Sequence, residues 1–130
     1  MGSTDTLKTT FEQMMATYSA RDLESLSAFA HDNIIFLGVL APVHVEGKTP
    51  LLSLFRNFFE THTYVQFTPL DPRFQVIGNI GQVWGSMMME LEPKRAPRTT
   101  LYLRFSCIYG DFSGTWKLVS MHTSWMPQEG

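Results

Sequence analysis

Apolar residues in the first third of the chain recur at helical spacing. In the segment TLKTTFEQMMATYSA they form one stripe, made of Leu7, Phe11, Met14, Met15 and Tyr18. Steps of three and four residues predict an amphipathic helix, and Thr4 or Asp5 is placed to cap its start. A polar break follows, and RDLESLSAFAHD then predicts a short second helix with Leu23, Leu26 and Phe29 facing inward.

The next segments predict a first strand and a third helix. NIIFLGVLAP is a brief apolar run that Gly38 and Pro42 end, which is typical of a strand followed by a turn. VHVEGK is a short strand or a loop. A third helix is expected from Thr49, because Pro50 suits a first helical turn, and LLSLFRNFFETH gives it a broad apolar face.

From position 64 onward the apolar period changes to two, which predicts strands. Four long strands follow, with a kink at Pro69 to Pro72 in the first and a tight turn at Gly78-Asn79 after it. Helices first and hairpin-connected strands afterwards indicate an α+β fold. We therefore expect one domain, residues 1–130, with three N-terminal helices packed in a strongly curved, mostly antiparallel sheet. A curved sheet around helices leaves a pocket for a small ligand.

Composition and charge narrow the possible partners. Hydrophobic residues make up 44% of the 130 residues and charged residues 17%, so the chain has the means to bury a core. The net charge is −2, and PKRAPR, the densest basic stretch, holds two prolines and joins two strand-like runs. Nucleic-acid binding is therefore not expected. No apolar run approaches the ~20 residues of a membrane span, so no membrane partner is expected.

The metal-ligating residues are few and scattered. Cys107 is the one cysteine, which rules out an internal disulfide and a cysteine-based zinc cluster. The histidines, His31, His44, His62 and His122, show no spacing typical of a metal site. We expect no metal and no cofactor, and a single cysteine is compatible with a reducing, cytoplasmic location.

The closing strand, WKLVSMHTSWMP, carries an unusual polar cluster. Strand alternation puts Ser120, His122 and Ser124 on one face and Met121, Thr123 and Trp125 on the other. Both sets mix polar and apolar residues. The pattern therefore does not decide which set lines the pocket.

Several side chains are candidates for chemistry. Tyr18, His122 and Ser124 are the predicted catalytic residues, since a histidine could shuttle a proton and hydroxyls could orient water or an oxyanion. Arg104, Trp84 and Thr123 are the predicted ligand-binding residues. Each has a structural alternative: Tyr18 as a core tyrosine, and His122 hydrogen-bonded within the sheet. Arg104 could instead pair with Glu90 or Glu92, or serve a subunit interface if it lies on the outer face.

Three stretches resemble the family of nuclear transport factor 2, ketosteroid isomerase, SnoaL-type cyclases and the calcium/calmodulin-dependent kinase II association domain. They are YSARDLESLSAFAHDNIIF, VEGKTPLLSLF and LYLRFSCIYGDFSGTWKLVSMHTSWMP. The last resembles the final hairpin of the SnoaL-like and kinase-association branch. Its matching places are Arg104-Phe105-Ser106, Gly114-Thr115-Trp116 and His122-Thr123-Ser124. The resemblance implies a cone-shaped α+β fold, but that fold carries many unrelated functions.

Two activities within this family can be checked against the residues. Ketosteroid isomerases keep a carboxylate base near the place of Leu37, where this chain has neither Asp nor Glu, although Tyr18 matches their oxyanion donor. That mechanism is not expected. The terminal MHTSWMP is also similar to the iota-class carbonic anhydrases, whose His-His-Ser-Ser run is here Met121, His122, Thr123 and Ser124.

Three functional hypotheses remain open. The first is binding, with or without transformation, of a small and partly apolar molecule in the cone, where His122, Arg104 and Tyr18 would converge. The second is a non-catalytic assembly or ligand-sensing module, with a packed interior and these groups outside. The third is metal-free carbon dioxide hydration in a small polar cavity lined by Thr123, Ser124 and a tyrosine. A homodimer through the outer sheet face is expected, since Tyr102, Ile108 or Trp125 would otherwise face water.

Overall fold

The described part of the chain folds into three helices and six strands, in the order that the apolar pattern predicts. The computed structural model describes residues 3–39 and 44–127. The helices are α1 (Thr4–Ala20), α2 (Leu23–Phe29) and α3 (Lys48–Glu60). The strands are β1 (Ala30–Leu37), β2 (Val45–Glu46), β3 (His62–Ile77), β4 (Ile80–Pro93), β5 (Thr99–Phe112) and β6 (Thr115–Trp125). The turn predicted to end at Pro42 lies partly outside the described residues.

Two predicted helix boundaries are wrong by a few residues. The cap of α1 is Ser3, whose hydroxyl accepts from the backbone N–H of Thr6 at 3.2 Å while the Thr6 hydroxyl accepts from the N–H of Ser3 at 2.9 Å. This reciprocal pair satisfies two backbone donors that a helix start leaves free. Helix α2 ends at Phe29, because the chain enters β1 at Ala30, which pairs with Leu118 of β6.

The strands form one sheet in the order β2-β1-β6-β5-β4-β3. All pairings are antiparallel except β1 with β6, which run parallel. The predicted α+β cone with a strongly curved, mostly antiparallel sheet is therefore confirmed. No helix in the described part of the chain has the length and apolar character to cross a membrane.

A kink bends β3 where the sequence shows its two prolines. The pairing of β3 with β4 shifts between Leu70 and Arg73, and Asp71 takes a positive φ of 47°. Gly85 of β4 lies against this kink, where a Cβ atom would be 3.3 Å from the Asp71 carbonyl oxygen. The irregularity therefore needs a residue without a side chain on the neighbouring strand, and it helps the sheet to curve.

A second irregularity lies in β6 and decides which side chains face the helices. Tyr109 of β5 pairs with Leu118, but the preceding residue, Ile108, pairs with Ser120. Val119 is thus an extra residue, a β-bulge, and it reverses the alternation of the strand beyond it. Leu118 and Met121 both face inward as a result, which an uninterrupted strand does not allow.

The core lies between the concave face of the sheet and the helices. Phe105 of β5 stacks on Phe11 of α1 with ring centroids 5.6 Å apart, which identifies the odd-numbered residues of β5 as inward-facing. Helix α3 contributes Phe55, Phe58 and Phe59 to the same core. Aromatic and methionine side chains thus fill most of the space between helices and sheet.

Candidate functional site

A small cavity lies in the concave interior of the sheet, between α1, α3 and four strands. Its volume is about 20 Å³, which is room for about one water molecule. The lining is almost wholly apolar and consists of Met15, Tyr18, Phe36, Val39, Phe55, Phe67, Met87, Met89, Met121 and Thr123.

Two hydroxyl groups are the polar side-chain atoms of this lining. The Tyr18 hydroxyl donates to the Met121 sulfur at 3.8 Å, a weak acceptor at long range. The Thr123 hydroxyl oxygen accepts from the backbone N–H of Val39 at 3.3 Å. Its own hydrogen remains available to donate. A ligand in the cavity would therefore meet two hydrogen-bond donors.

Burial keeps the Tyr18 hydroxyl protonated. The side chain is 2% exposed, and desolvation raises the pKa of Tyr18 far above its ordinary value, with a smaller contribution from nearby Cys107. An ionised phenol in this setting would lack water or a cation to stabilise its charge. Tyr18 is thus a neutral donor and does not exchange protons near neutral pH.

Four methionines make the cavity wall adaptable. Met15 comes from α1, Met87 and Met89 from β4, and Met121 from β6. Methionine is unbranched and has three rotatable bonds, so its side chain refills or vacates space at low energetic cost. Much of the cavity wall therefore consists of side chains that change rotamer readily.

The other four predicted site residues lie on the convex face of the sheet. Arg104 and His122 are exposed there, as is Trp84, and Ser124 is partly exposed. Ser106 pairs with His122 on one side and with Trp84 on the other, while Arg104 pairs with Ser124. Neither the imidazole of His122 nor the guanidinium of Arg104 has a hydrogen-bond or ion-pair partner among residues 3–39 and 44–127.

The predicted convergence of His122, Arg104 and Tyr18 in one cavity is therefore wrong. Tyr18 and Thr123 line the cavity, whereas His122, Arg104, Trp84 and Ser124 point away from it. The physical cause in β6 is the bulge at Val119, which turns Met121 and Thr123 inward and His122 and Ser124 outward. Catalytic or binding roles for the outward residues stay predictions.

Arg104 also lacks the carboxylate partners that the sequence suggested. Glu92 lies 3.7 Å from Arg98 and so has a different cation beside it. Glu90 pairs with Thr100 in the sheet, four residues along β5 from Arg104. Arg104 instead lies between Ser86 and Ser124 on the convex face. For an arginine on this outer face, the remaining prediction from the sequence is a role in a subunit interface.

The described residues form neither a metal site nor the polar cavity that carbon dioxide hydration was expected to need. The described residues contain no group of three or more His, Cys, Asp or Glu side chains placed to hold a metal ion. Thr123 and Ser124 lie on opposite faces of β6, so they do not share the small polar cavity that carbon dioxide hydration was expected to need.

Most of the lining was visible in the sequence only as a bias in composition. Eight methionines and ten phenylalanines predicted an adaptable apolar interior, but core packing and a ligand pocket have the same pattern. In the segment SMMME, residues 86–90, the side chains of Met87 and Met89 lie inside and that of Met88 lies on the convex face. Strand alternation alone could have identified that pair.

The family of the chain follows from a match over nearly its whole length. The model of the SnoaL-like domain matches residues 7–129. The chain belongs to the SnoaL-like domain family. This match confirms the resemblance predicted from the sequence. The cavity and the curved sheet both lie within the matched residues.

Solved structures share the fold of this SnoaL-like domain at low sequence identity. A nuclear transport factor 2-like protein from Salmonella enterica has a TM-score of 0.86 and 12% identity, over 98% of this chain and 93% of that one. A candidate kinase II association domain from Xanthomonas campestris has a TM-score of 0.85 and 13% identity, over 99% and 91%. A candidate dehydratase from Streptomyces avermitilis has a TM-score of 0.84 and 15% identity, over 94% and 95%.

No curated protein matches the sequence of this SnoaL-like domain. At identities this low, the structural likeness establishes the fold and leaves the activity to be argued from the site.

Proposed function

We propose that this SnoaL-like domain binds a small, largely apolar molecule in its inner cavity and acts as a binding module, not as an acid–base enzyme. The observation that carries the proposal is the lining itself: four methionines and three phenylalanines surround the hydroxyl groups of Tyr18 and Thr123. Apolar pockets with a few placed polar groups are typical small-molecule sites.

The chemistry of the lining supports binding over proton transfer. A general acid or base works best when its pKa lies near the operating pH. The polar side chains of the cavity are a threonine and a tyrosine, and burial raises the pKa of Tyr18 well above its usual range. His122, the predicted proton carrier, lies on the opposite face of the sheet.

The two donors also describe the ligand. Tyr18 and Thr123 each offer a hydrogen, so the matching molecule carries a hydrogen-bond acceptor such as a ketone oxygen on an apolar body. At about 20 Å³ the cavity admits such a body only after methionine side chains change rotamer. Benzylacetone, a phenyl ring joined to a ketone by a short chain, is a suitable probe.

The test follows the methionine methyl groups by NMR while benzylacetone is added. The methyl signals of Met15, Met87, Met89 and Met121 should shift on binding. Met88 on the convex face and Met126 near the end of β6 serve as internal controls and should not shift. Saturating benzylacetone without movement of the four cavity signals would contradict the proposal.

We further propose that two copies associate through the convex face of the sheet. Trp84 is 42% exposed and Tyr102 is 52% exposed, and Leu37 adds a third large apolar side chain on the same face. Such a surface rarely faces water in a monomer. A second copy of the chain would cover these side chains, and the ladder neighbours of Arg104 on this face are the uncharged Ser86 and Ser124.

Sedimentation of single-residue variants tests the homodimer. Trp84→Glu places a like charge in both copies and should weaken dimerisation by at least about tenfold, since paired like charges cost several kcal/mol at an interface. Gln13→Glu introduces the same charge on the exposed side of α1 and should leave the dimer intact. A wild-type protein that sediments as a monomer at high concentration would refute this second proposal.

A single domain over residues 1–130, a cytoplasmic location and a site without cofactor stay predictions, and the binding proposal is compatible with each of them.

A further inference from the structure

A groove lies directly beside the inner cavity, along the C-terminal half of α3. Its volume is about 260 Å³, and its lining consists of Phe36, Leu54, Phe55, Asn57, Phe58, Thr61 and His62. The floor is aromatic, whereas Asn57, Thr61 and His62 form a more exposed polar rim. The groove is much larger than the inner cavity and has a different chemical character.

Phe36 and Phe55 separate the groove from the cavity and line both of them. Their rings meet edge to face with centroids 5.7 Å apart. Gly38 lies beside the Phe36 ring, where a Cβ atom would be 2.6 Å from it. The two spaces thus share this pair of rings as a common wall.

His62 is held at the rim in a defined orientation. Its Nδ1 atom lies 2.7 Å from the carbonyl oxygen of Phe58, and the imidazole packs on the Phe58 ring with centroids 4.4 Å apart. A carbonyl oxygen only accepts, so Nδ1 carries the hydrogen in this contact. The neutral ring then presents Nε2 as an acceptor.

The rim therefore offers one acceptor and one group able to donate. Nε2 of His62 and the side-chain amide of Asn57 have no partner among the described residues. The Thr61 hydroxyl shares its one hydrogen between the backbone carbonyls of Asn57 and Phe58, both at 3.0 Å, and its oxygen lies 3.1 Å from Nδ1 of His62, so it is already engaged. A head group that both donates and accepts, such as a hydroxyl, satisfies His62 and Asn57 together.

We propose that the groove and the cavity form one elongated binding site for an apolar molecule with a hydroxyl at its outer end. The hydroxyl donates to Nε2 of His62 and accepts from Asn57, while the apolar body passes the Phe36–Phe55 pair and enters the methionine-lined cavity. The inference rests on the proposed binding function and adds the outer half of the ligand to it.

The test compares three ligands that share one body: benzylacetone, its para-hydroxy derivative and its para-carboxy derivative. Calorimetry at about pH 8 should show the para-hydroxy compound binding about tenfold more tightly than benzylacetone. Equal affinities would overturn the inference. Tighter binding of the para-carboxy compound would overturn the assignment of a hydroxyl head group.

Matched histidine variants locate the effect. His62→Phe keeps a ring on Phe58 and removes both nitrogens, so it should abolish the tenfold preference for the para-hydroxy compound over benzylacetone. His31→Phe is the control, because His31 also stacks on a phenylalanine, Phe112, at 4.7 Å but lies outside the groove. A preference that survives in His62→Phe would refute the role of His62, and circular dichroism verifies the fold of each variant.

A third variant tests the connection through the aromatic pair. Phe36→Leu replaces the ring by a smaller apolar side chain, and benzylacetone should then associate faster in stopped-flow measurements. An unchanged association rate would contradict entry past Phe36. Failure of benzylacetone to bind at all would instead refute the underlying binding function, so the two failures are distinguishable.

Discussion

The concave and convex faces of the sheet carry different kinds of side chain. On the concave face Met87, Phe105 and Met121 are buried against the helices, and the polar groups there are tyrosine and threonine hydroxyls. On the convex face Arg104 and His122 alternate with serines and with exposed aromatic rings. Neighbouring residues therefore belong to different environments, and adjacent substitutions should have very different effects.

The largest effect should come from a pair of adjacent substitutions in β5, one on each face of the sheet. Phe105→Ala removes a ring stacked on Phe11 and should cost about 3–5 kcal/mol in urea unfolding. Arg104→Ala, one residue earlier on the convex face, should change the unfolding free energy by no more than about 0.5 kcal/mol. Equal losses would mean that Arg104 makes contacts in the folded chain that its exposure does not reveal.

The alkylation rates of thiols at two adjacent positions of β5 also distinguish the two faces of the sheet. Cys107 is buried, and desolvation raises the pKa of its thiol far above the ordinary value, so we expect no alkylation of the folded protein at about pH 8. Ser106→Cys combined with Cys107→Ala moves the thiol by one position to the exposed face. That variant should be alkylated as soon as the reagent is added to the folded protein. Rapid alkylation of wild-type Cys107 would contradict its burial.

The same thiol predicts a small pH dependence of stability. Because the folded pKa of Cys107 is raised, its contribution is fully present below the unfolded value of about 8.5 and declines as the pH rises above it. The unfolding free energy of the wild type should fall between about pH 8 and pH 10 relative to Cys107→Ala. Parallel pH profiles for the two proteins would count against this linkage.

The smallest effect should come from two buried tyrosines on the concave side. Both hydroxyls donate to methionine sulfurs, Tyr18 to Met121 at 3.8 Å and Tyr109 to Met14 at 3.3 Å. Tyr18→Phe should leave stability unchanged within about 0.5 kcal/mol, and Tyr109→Phe should cost about 1 kcal/mol, because only the shorter contact resembles a formed hydrogen bond. A larger loss for Tyr18→Phe in thermal or urea unfolding would reverse this order.

Much of the fold could be read from the chain, because secondary structure depends on local patterns. The stripe from Leu7 to Tyr18, the apolar face of α3 and the period of two beyond position 64 each predicted the correct type of element. Pro69 to Pro72 marked the kink of β3, and Gly78-Asn79 marked the turn into β4. These signals act over a few residues and need no distant contact.

The candidate site was predicted only in part, because a site depends on where faces point. Tyr18 and Thr123 were placed among the site residues and line the cavity, whereas His62 and Asn57 had no recognised pattern in LLSLFRNFFETH. His122 was predicted to be a site residue because it is a polar residue within a strand. Its exposure, however, depends on the register between β5 and β6, and that register is not a local property.

The sequence by itself determined the helices, the strands and the family, since apolar spacing and turn residues are written along the chain. Only the tertiary structure decided which half of the last strand faces the helices. One extra residue, Val119, reverses that orientation, and it is recognisable only when Ile108 and Tyr109 of the neighbouring strand are in place. The inward set is the one that buries Met121 against Tyr18, because packing on the helices favours the more apolar face.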